Sequence, residues 1–326
     1  MKPVTFIEPG DLIGVFEALS SDRPSRLIAG GSDLLGQLKD GSEEYERLVS
    51  LAGVGVLRGL TAGPAGLTIG ALTTIYELET ATELSGAYRM LAEAARSVAT
   101  PEIRNQGTLG GNLCQRPRCL HYRHALVSCL KKGGEGCPAV LTPHQAYLSV
   151  FGGSGCAAVN PADLAPPLIA LDAIAVIEGA SGVRELPIES FFTGPEIDPT
   201  RENTLEASEV LTAVRLPAML ANWRGLYSKS RDRTAGDFAI VSAAIGYALE
   251  QGRMTRVRVV LGGVAPTPLR IRAAEAILEG SEPSEDTAAR AAETALAGAT
   301  PLDHNEYKLD LVRALITRNV MRVAAG

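Results

Sequence analysis

Five cysteines, Cys114, Cys119, Cys129, Cys137 and Cys156, crowd into one short stretch of a 326-residue chain. An odd number of thiols in a chain this size is a poor disulfide framework, so metal or cluster chemistry is the first reading. Thiolates hold iron-sulfur clusters, and a 4Fe-4S cluster commonly takes four, which leaves one cysteine over. Spacings of ten, eight and nineteen between Cys119, Cys129, Cys137 and Cys156 fit neither the compact ferredoxin runs nor paired zinc-finger ligands. His121 and His124 beside the thiols keep zinc open as an alternative. A lone cysteine is often only a small buried apolar side chain, but a loop rich in Gly, Arg and Lys is a poor place to bury four. Arg116, Arg118 and Arg123 stand among them, where they could face a cluster's negative charge, a phosphate or solvent.

Two glycine loops offer a second kind of chemistry. In LIAGGSDLL, residues 27–35, an apolar run passes straight into two glycines, a hydroxyl and an acid; in IRNQGTLGGNL, residues 103–113, small residues again dominate. Glycines let backbone approach a pyrophosphate, and successive amides in such a turn form an anion-binding nest. Neither loop matches the Rossmann GxGxxG or the lysine-containing P-loop, so a phosphate-bearing ligand would be bound by another design. The motifs bring together no Ser-His-Asp or paired-carboxylate constellation, so the chemistry belongs to a bound group.

The elements that must position these loops follow from periodicity. Residues 26–29 and 47–51 read as strands around a tight loop at 30–33, a small α/β unit. A strand from Leu67 leads into two helical stretches, the second (88–98) with Met90, Leu91, Ala94 and Ala95 at helical spacing and ended by Thr100 and Pro101. Residues 114–156 show little periodicity and read as an irregular insertion. Pro161 to Asp163 opens a helix through Ala173, followed by strands at 174–177 and 210–216 and a boundary near Pro217. The last hundred residues read as a separate α+β domain, with strands at 225–229, 237–249 and 253–261. Its helices place Ile271, Ala274 and Leu278, then Leu309, Val312, Ile316 and Val320, on single faces. The Ala-rich stretch near 281–300 is a linker or a further helix.

The length favours two or more domains. A net charge of -6, with no basic stripe carrying interleaved aromatics, argues against nucleic-acid binding. No run reaches the roughly 18 to 20 apolar residues of a membrane span, and MKPVTFIEPGDL lacks the continuous apolar region of a signal peptide. The expectation is a cytoplasmic chain without membrane insertion, or a periplasmic one if co-exported with a signal-bearing partner.

The ordered set AGGSD, IRNQGTLGGNL, NPADLAPPLIALDA, YSKSRDRTAGDFAIV and RVVLGGVAPTPLR resembles the medium flavoprotein subunit of the xanthine dehydrogenase and carbon monoxide dehydrogenase group of molybdenum hydroxylases, from about residue 4 onward. The resemblance implies an α+β fold: a two-subdomain FAD-binding fold of the vanillyl-alcohol oxidase (PCMH) type, then a C-terminal α+β domain of the CO dehydrogenase flavoprotein type. The FAD-binding domain would span 1–219, with subdomains at about 1–55 and 56–219 and the cysteine-bearing insertion at about 114–156; the C-terminal domain would span 220–326. Carried over motif by motif, Ile28, Ala29, Gly30, Gly31, Ser32, Asp33, Leu34 and Leu35 would wrap the FAD pyrophosphate, and Gly107, Thr108, Gly111 and Asn112 would form the second loop. Asp163 matches a position that contacts the flavin's sugar chain, while Leu211 and Lys229 match positions that approach the isoalloxazine.

The segments NLCQRPRCLHYR, CLKKGGEGCPA and GSGCAAVNPAD are similar to the insertion of periplasmic aldehyde oxidoreductase flavoproteins. That similarity implies a 4Fe-4S cluster on Cys119, Cys129, Cys137 and Cys156. Cys114, just after the flavin loop, would pack near the ring system, although an exchange of one ligand stays open. The implied partners are a large molybdopterin-binding subunit, a small 2Fe-2S subunit and an external electron acceptor. Three rival readings are a 4-hydroxybenzoyl-CoA reductase-like flavoprotein subunit, a stand-alone vanillyl-alcohol-type flavin oxidase and a non-enzymatic metal-binding assembly subunit that has lost FAD.

Overall fold

Asp11 begins the first helix by accepting the amide of Gly14 at 2.9 Å, and from there the chain builds a small parallel sheet. The computed structural model describes residues 2–20 and 22–324. Strands β1 (Thr5–Ile7), β2 (Ser25–Ile28) and β3 (Arg47–Ser50) pair in parallel in the order β1-β3-β2, crossed by helices α1 (Leu12–Leu19) and α2 (Leu34–Asp40). Val15, Val49, Leu51 and Val54 bury one side of this unit, and Ile28, Leu38 and Leu48 the other.

The second unit is a five-stranded antiparallel sheet in the order β4-β5-β8-β6-β7. Its strands are β4 (Leu60–Gly63), β5 (Gly66–Gly70), β6 (Ile174–Gly179), β7 (Gly182–Pro187) and β8 (Glu209–Pro217). Between β5 and β6 the chain makes helices α3 (Ile75–Thr80), α4 (Arg89–Ser97), α5 (Pro101–Gln106), α6 (Leu109–Leu113), α7 (Leu120–Arg123) and α8 (Ala165–Ala170). Two sequence expectations are corrected here. Pro101 does not close a helix: α4 already stops at Ser97, and Pro101 opens α5 at a position where its missing amide costs nothing. The helix after Asp163 ends at Ala170, before Asp172 takes a left-handed φ of 50°. Strand β7 was not legible because it lies at the sheet edge with four of its six residues exposed.

The third unit is a four-stranded antiparallel sheet, β12-β11-β10-β9, formed by β9 (Trp223–Ser230), β10 (Val241–Glu250), β11 (Arg253–Gly262) and β12 (Leu269–Arg270). Helices α9 (Arg272–Leu278), α10 (Glu285–Ala295) and α11 (Tyr307–Ala324) cover one face, where Ile245, Val259 and Leu261 meet Ala274, Leu278, Ala291, Val312 and Ile316. The Ala-rich stretch is therefore helix, started by the Ser284 hydroxyl on the Thr287 amide at 3.2 Å. Strand β10 starts at Val241 rather than Asp237, because the Asp237 carboxylate closes a loop by accepting the Arg233 amide and guanidinium. Trp223, Tyr227 and Ala244 pack into the middle unit's core beside Met90 and Leu168.

Candidate functional site

The two glycine loops meet. A Cβ built on Gly30 would lie 1.7 Å from the carbonyl oxygen of Gln106, so only glycine allows the loop leaving β2 to touch the loop after α5. Gly31 follows at φ 71°, turning the chain into α2. On the other side Thr108 accepts the Gly111 amide at 3.1 Å, starting α6, and Asn112 accepts the Leu164 amide at 3.2 Å, anchoring the turn that carries Asp163.

These loops wall a cavity of about 660 Å³, within the roughly 300–1,000 Å³ of cofactor-sized sites. Ile28 to Leu34, Gly107, Thr108, Gly111, Asn112, Cys114, Asp163 and Leu211 all line it. Leu35 does not: its side chain folds back over Gly31 and is 39% exposed. Lys229 is also outside the lining. Its Nζ donates to Asp163 at 2.7 Å and to the Ser97 carbonyl at 3.1 Å, so the lysine stands behind Asp163 instead of facing the cavity. Tyr227 donates to the other Asp163 oxygen at 2.9 Å, and burial raises its phenol pKa well above the usual range. Asp163 thus enters the wall as a fixed anion with both oxygens engaged.

Sequence reading did not single out several lining groups: Arg26 and Tyr45, residues 200–203, and Gly236 to Phe238 from the C-terminal sheet's loop. Arg26 lies over the Tyr45 ring at 5.9 Å and Arg118 over Phe238 at 4.7 Å. Their role depends on distant segments meeting, and no local motif announces it.

Asp33 is the busiest side chain on the rim. It accepts the Arg116 amide at 2.9 Å, the Arg123 guanidinium at 2.6 Å and Gln37 at 2.9 Å, and pairs with Arg118 at 3.0 Å. The buried Arg116 guanidinium pairs with Glu202 at 2.6 Å and Glu43 at 3.4 Å, and Lys131 reaches Glu202 at 2.6 Å. The three insertion arginines are therefore committed to carboxylates rather than solvated.

Cys119, Cys129, Cys137 and Cys156 line one small enclosed space of about 10 Å³ together with His121 and Lys131. The Cys156 thiol donates to Cys137 and, with the Ala157, Ala139 and Val140 amides, lowers the Cys137 pKa below the ordinary thiol range. The same contact pushes Cys156 upward. Among the described residues, no group of three or more His, Cys, Asp or Glu is arranged to hold a single metal ion. His121 contacts Thr142 at 3.2 Å, and His124 accepts the Leu126 amide at 3.3 Å. Four thiols are a donor set common to structural zinc sites and iron-sulfur clusters. Cys114 stands apart in the wall of the large cavity, its thiol pushed up to about 12 by burial.

A cavity of this size, walled by backbone at two glycine loops and by apolar side chains such as Leu27, Leu72, Val98 and Leu211, fits a long cofactor with a diphosphate waist. Comparison with known proteins agrees. Residues 2–219 match the FAD binding domain in molybdopterin dehydrogenase, and residues 226–323 the CO dehydrogenase flavoprotein C-terminal domain. The chain is 34% identical over 302 residues, 91% of each chain, to the aldehyde oxidoreductase FAD-binding subunit PaoB of Escherichia coli (strain K12). It is 27% identical over 313 residues to the carbon monoxide dehydrogenase medium chain of Hydrogenophaga pseudoflava, covering 96% of this chain and 92% of that one. Among solved structures, quinoline 2-oxidoreductase from Pseudomonas putida 86 superimposes with a TM-score of 0.78 at 27% identity, over 100% of this chain and 99% of that one. With the glycine-loop cavity and two family models matched over residues 2–219 and 226–323, this chain belongs to the FAD-binding medium subunits of the xanthine dehydrogenase and carbon monoxide dehydrogenase family, the oxidoreductase flavoproteins of the molybdenum hydroxylases.

Proposed function

We propose that this chain is the FAD and 4Fe-4S electron-transfer subunit of a heterotrimeric molybdenum hydroxylase of the aldehyde oxidoreductase type, taking electrons from 2Fe-2S clusters and delivering them to an external acceptor. The observation that carries the reading is a cofactor-sized cavity, built on two touching glycine loops, set beside an insertion whose four cysteines share one pocket. The likeness to the FAD-binding subunit of an aldehyde oxidoreductase supports the choice of type.

Bound FAD supplies exchange between one-electron and two-electron carriers. The chain's own residues bind and orient it. Amides of Gly30 to Asp33 would hold the diphosphate, with Ile28, Ala29 and Leu34 forming the shoulders of the first loop and Gly107, Thr108, Gly111 and Asn112 walling the opposite side of the cavity. Asp163, fixed by Lys229 and Tyr227, meets the sugar chain, and Leu211 and Cys114 pack beside the ring system and exclude water. Cys119, Cys129, Cys137 and Cys156 hold the cluster. On this reading, residues 1–219 form the FAD-binding domain, with subdomains at about 1–55 and 56–219 and the cluster insertion at about 114–156, and residues 220–326 form the C-terminal domain. Substrate oxidation belongs to the large molybdopterin-binding subunit, reached through the small 2Fe-2S subunit.

The test is anaerobic mixing with an aldehyde. The flavin bands bleach in the assembled complex and stay unchanged in the separated chain. An isolated chain whose flavin is reduced by aldehyde contradicts the proposal and favours a self-contained oxidase.

A further inference from the structure

We infer that Asp33 couples the FAD loop to the cysteine-bearing insertion, so that filling the cavity orders the insertion and removing the insertion's arginines loosens FAD. The inference rests on the reading of the cavity as an FAD site.

Asp33 precedes α2, at the position from which a short carboxylate normally caps the first free amides of a helix. Among the described residues it makes no such cap. Its oxygens turn to the insertion instead, Oδ2 to the Arg116 amide and Oδ1 to the guanidiniums of Arg118 and Arg123. Arg123 also donates to the carbonyls of Pro117 at 2.8 Å and Arg116 at 3.0 Å, fastening the insertion's first turn around the same carboxylate. A second tie runs parallel to the first. Tyr122 donates to Glu43 at 2.7 Å, and its hydroxyl lies 3.1 Å from the Gln37 Oε1, one helical turn beyond Asp33.

Exposed ion pairs contribute little, but these are not exposed: the Asp33 and Arg123 side chains keep only 16% and 11% of their surface. A buried carboxylate left without its partners is strongly unfavourable, so the loop and the insertion move together or not at all. The backbone immediately before Asp33 is the Gly30–Gly31 turn proposed to hold the diphosphate. Fixing that turn therefore fixes the carboxylate on which the insertion hangs. Because such coupling is reciprocal, the insertion must return the same factor to FAD affinity. Asp33 is thus a positioning residue for both halves. Arg123, which lies outside the cavity lining, offers a way to test this without touching the ligand.

The experiment uses the full chain, titrated with FAD by quenching of flavin fluorescence and followed by hydrogen exchange over residues 116–131. In the wild type, FAD slows exchange in that segment. R123Q raises the FAD Kd by roughly 5- to 150-fold and abolishes the protection, and R123K recovers part of both. D33N combined with R123Q binds no more weakly than D33N alone, the non-additivity expected of one shared contact. If R123Q does not fold, the wild-type exchange experiment decides by itself. Saturable FAD binding with unchanged exchange, or a folded R123Q with the wild-type Kd, overturns the coupling and leaves the FAD reading intact. A wild-type chain that binds no FAD overturns both.

Discussion

Lys229 shows what a motif can and cannot say about one residue. The segment YSKSRDRTAGDFAIV points to a lysine near the cofactor, and the structure puts it one side chain further back, behind Asp163. Its reach is set by Ser97 and Tyr227, which come from α4 and from its own strand, and no local pattern encodes that meeting. With both side chains almost fully buried, K229M strands a carboxylate and is expected to destabilise the protein by about 3 to 5 kcal/mol, read by denaturant unfolding. The glycines were more legible, because the need for a bare backbone is local. Gly30→Ala drives a methyl group into the Gln106 carbonyl and should sharply lower the ratio of bound flavin to protein. Gly36→Ala, within α2 and with open space around it, should leave that ratio unchanged and stabilise α2 by roughly 0.5–1 kcal/mol. The cysteines divide in the same way: C129S should lose iron, whereas C114A should retain it.

At the scale of elements, strands and helices with buried faces were readable from apolar spacing, and the edges were not. Helix α11 follows its stripe of Val312, Ile316 and Val320, while β7, mostly exposed at a sheet edge, has too weak a pattern to detect. The attachment of the insertion was also hidden from the sequence. Asn305 and Lys308, at the start of α11, reach back over more than 150 residues to bind the carbonyls of Leu148 and Ser149 at 2.9–3.2 Å, and Lys308 also holds Gly263. Burial lowers the Lys308 pKa from 10.5 to about 7. Between those two values the unfolded chain binds the lysine's proton more tightly than the folded one, so folding stability rises with pH across that window. The stability difference between the wild type and K308M should therefore widen from pH 7 to pH 9 in paired thermal or denaturant melts. A constant gap would mean that the ammonium stays charged throughout.

Seen as a whole, the molecule joins its two candidate cofactor sites through one buried ion pair, Lys131 from the cysteine pocket with Glu202 from the cavity wall. The parallel unit supplies the loop ending at Asp33, the middle unit supplies the second glycine loop and Asp163, and the C-terminal sheet closes the cavity with Gly236 to Phe238. Among the described residues, no helix is long and apolar enough to cross a membrane. The order of the motifs along the chain made this architecture legible as a family likeness. The arginine and carboxylate network was not, since Asp33, Glu43 and Glu202 are dispersed in sequence and meet only in the fold.

The central claim is that one polypeptide carries both a flavin and a cluster, and cofactor content per chain after anaerobic purification tests it most directly. The account predicts about one FAD together with about four iron and four acid-labile sulfide per chain, with the iron and sulfide lost in C129S. A chain that retains FAD but contains neither iron nor sulfide would contradict it.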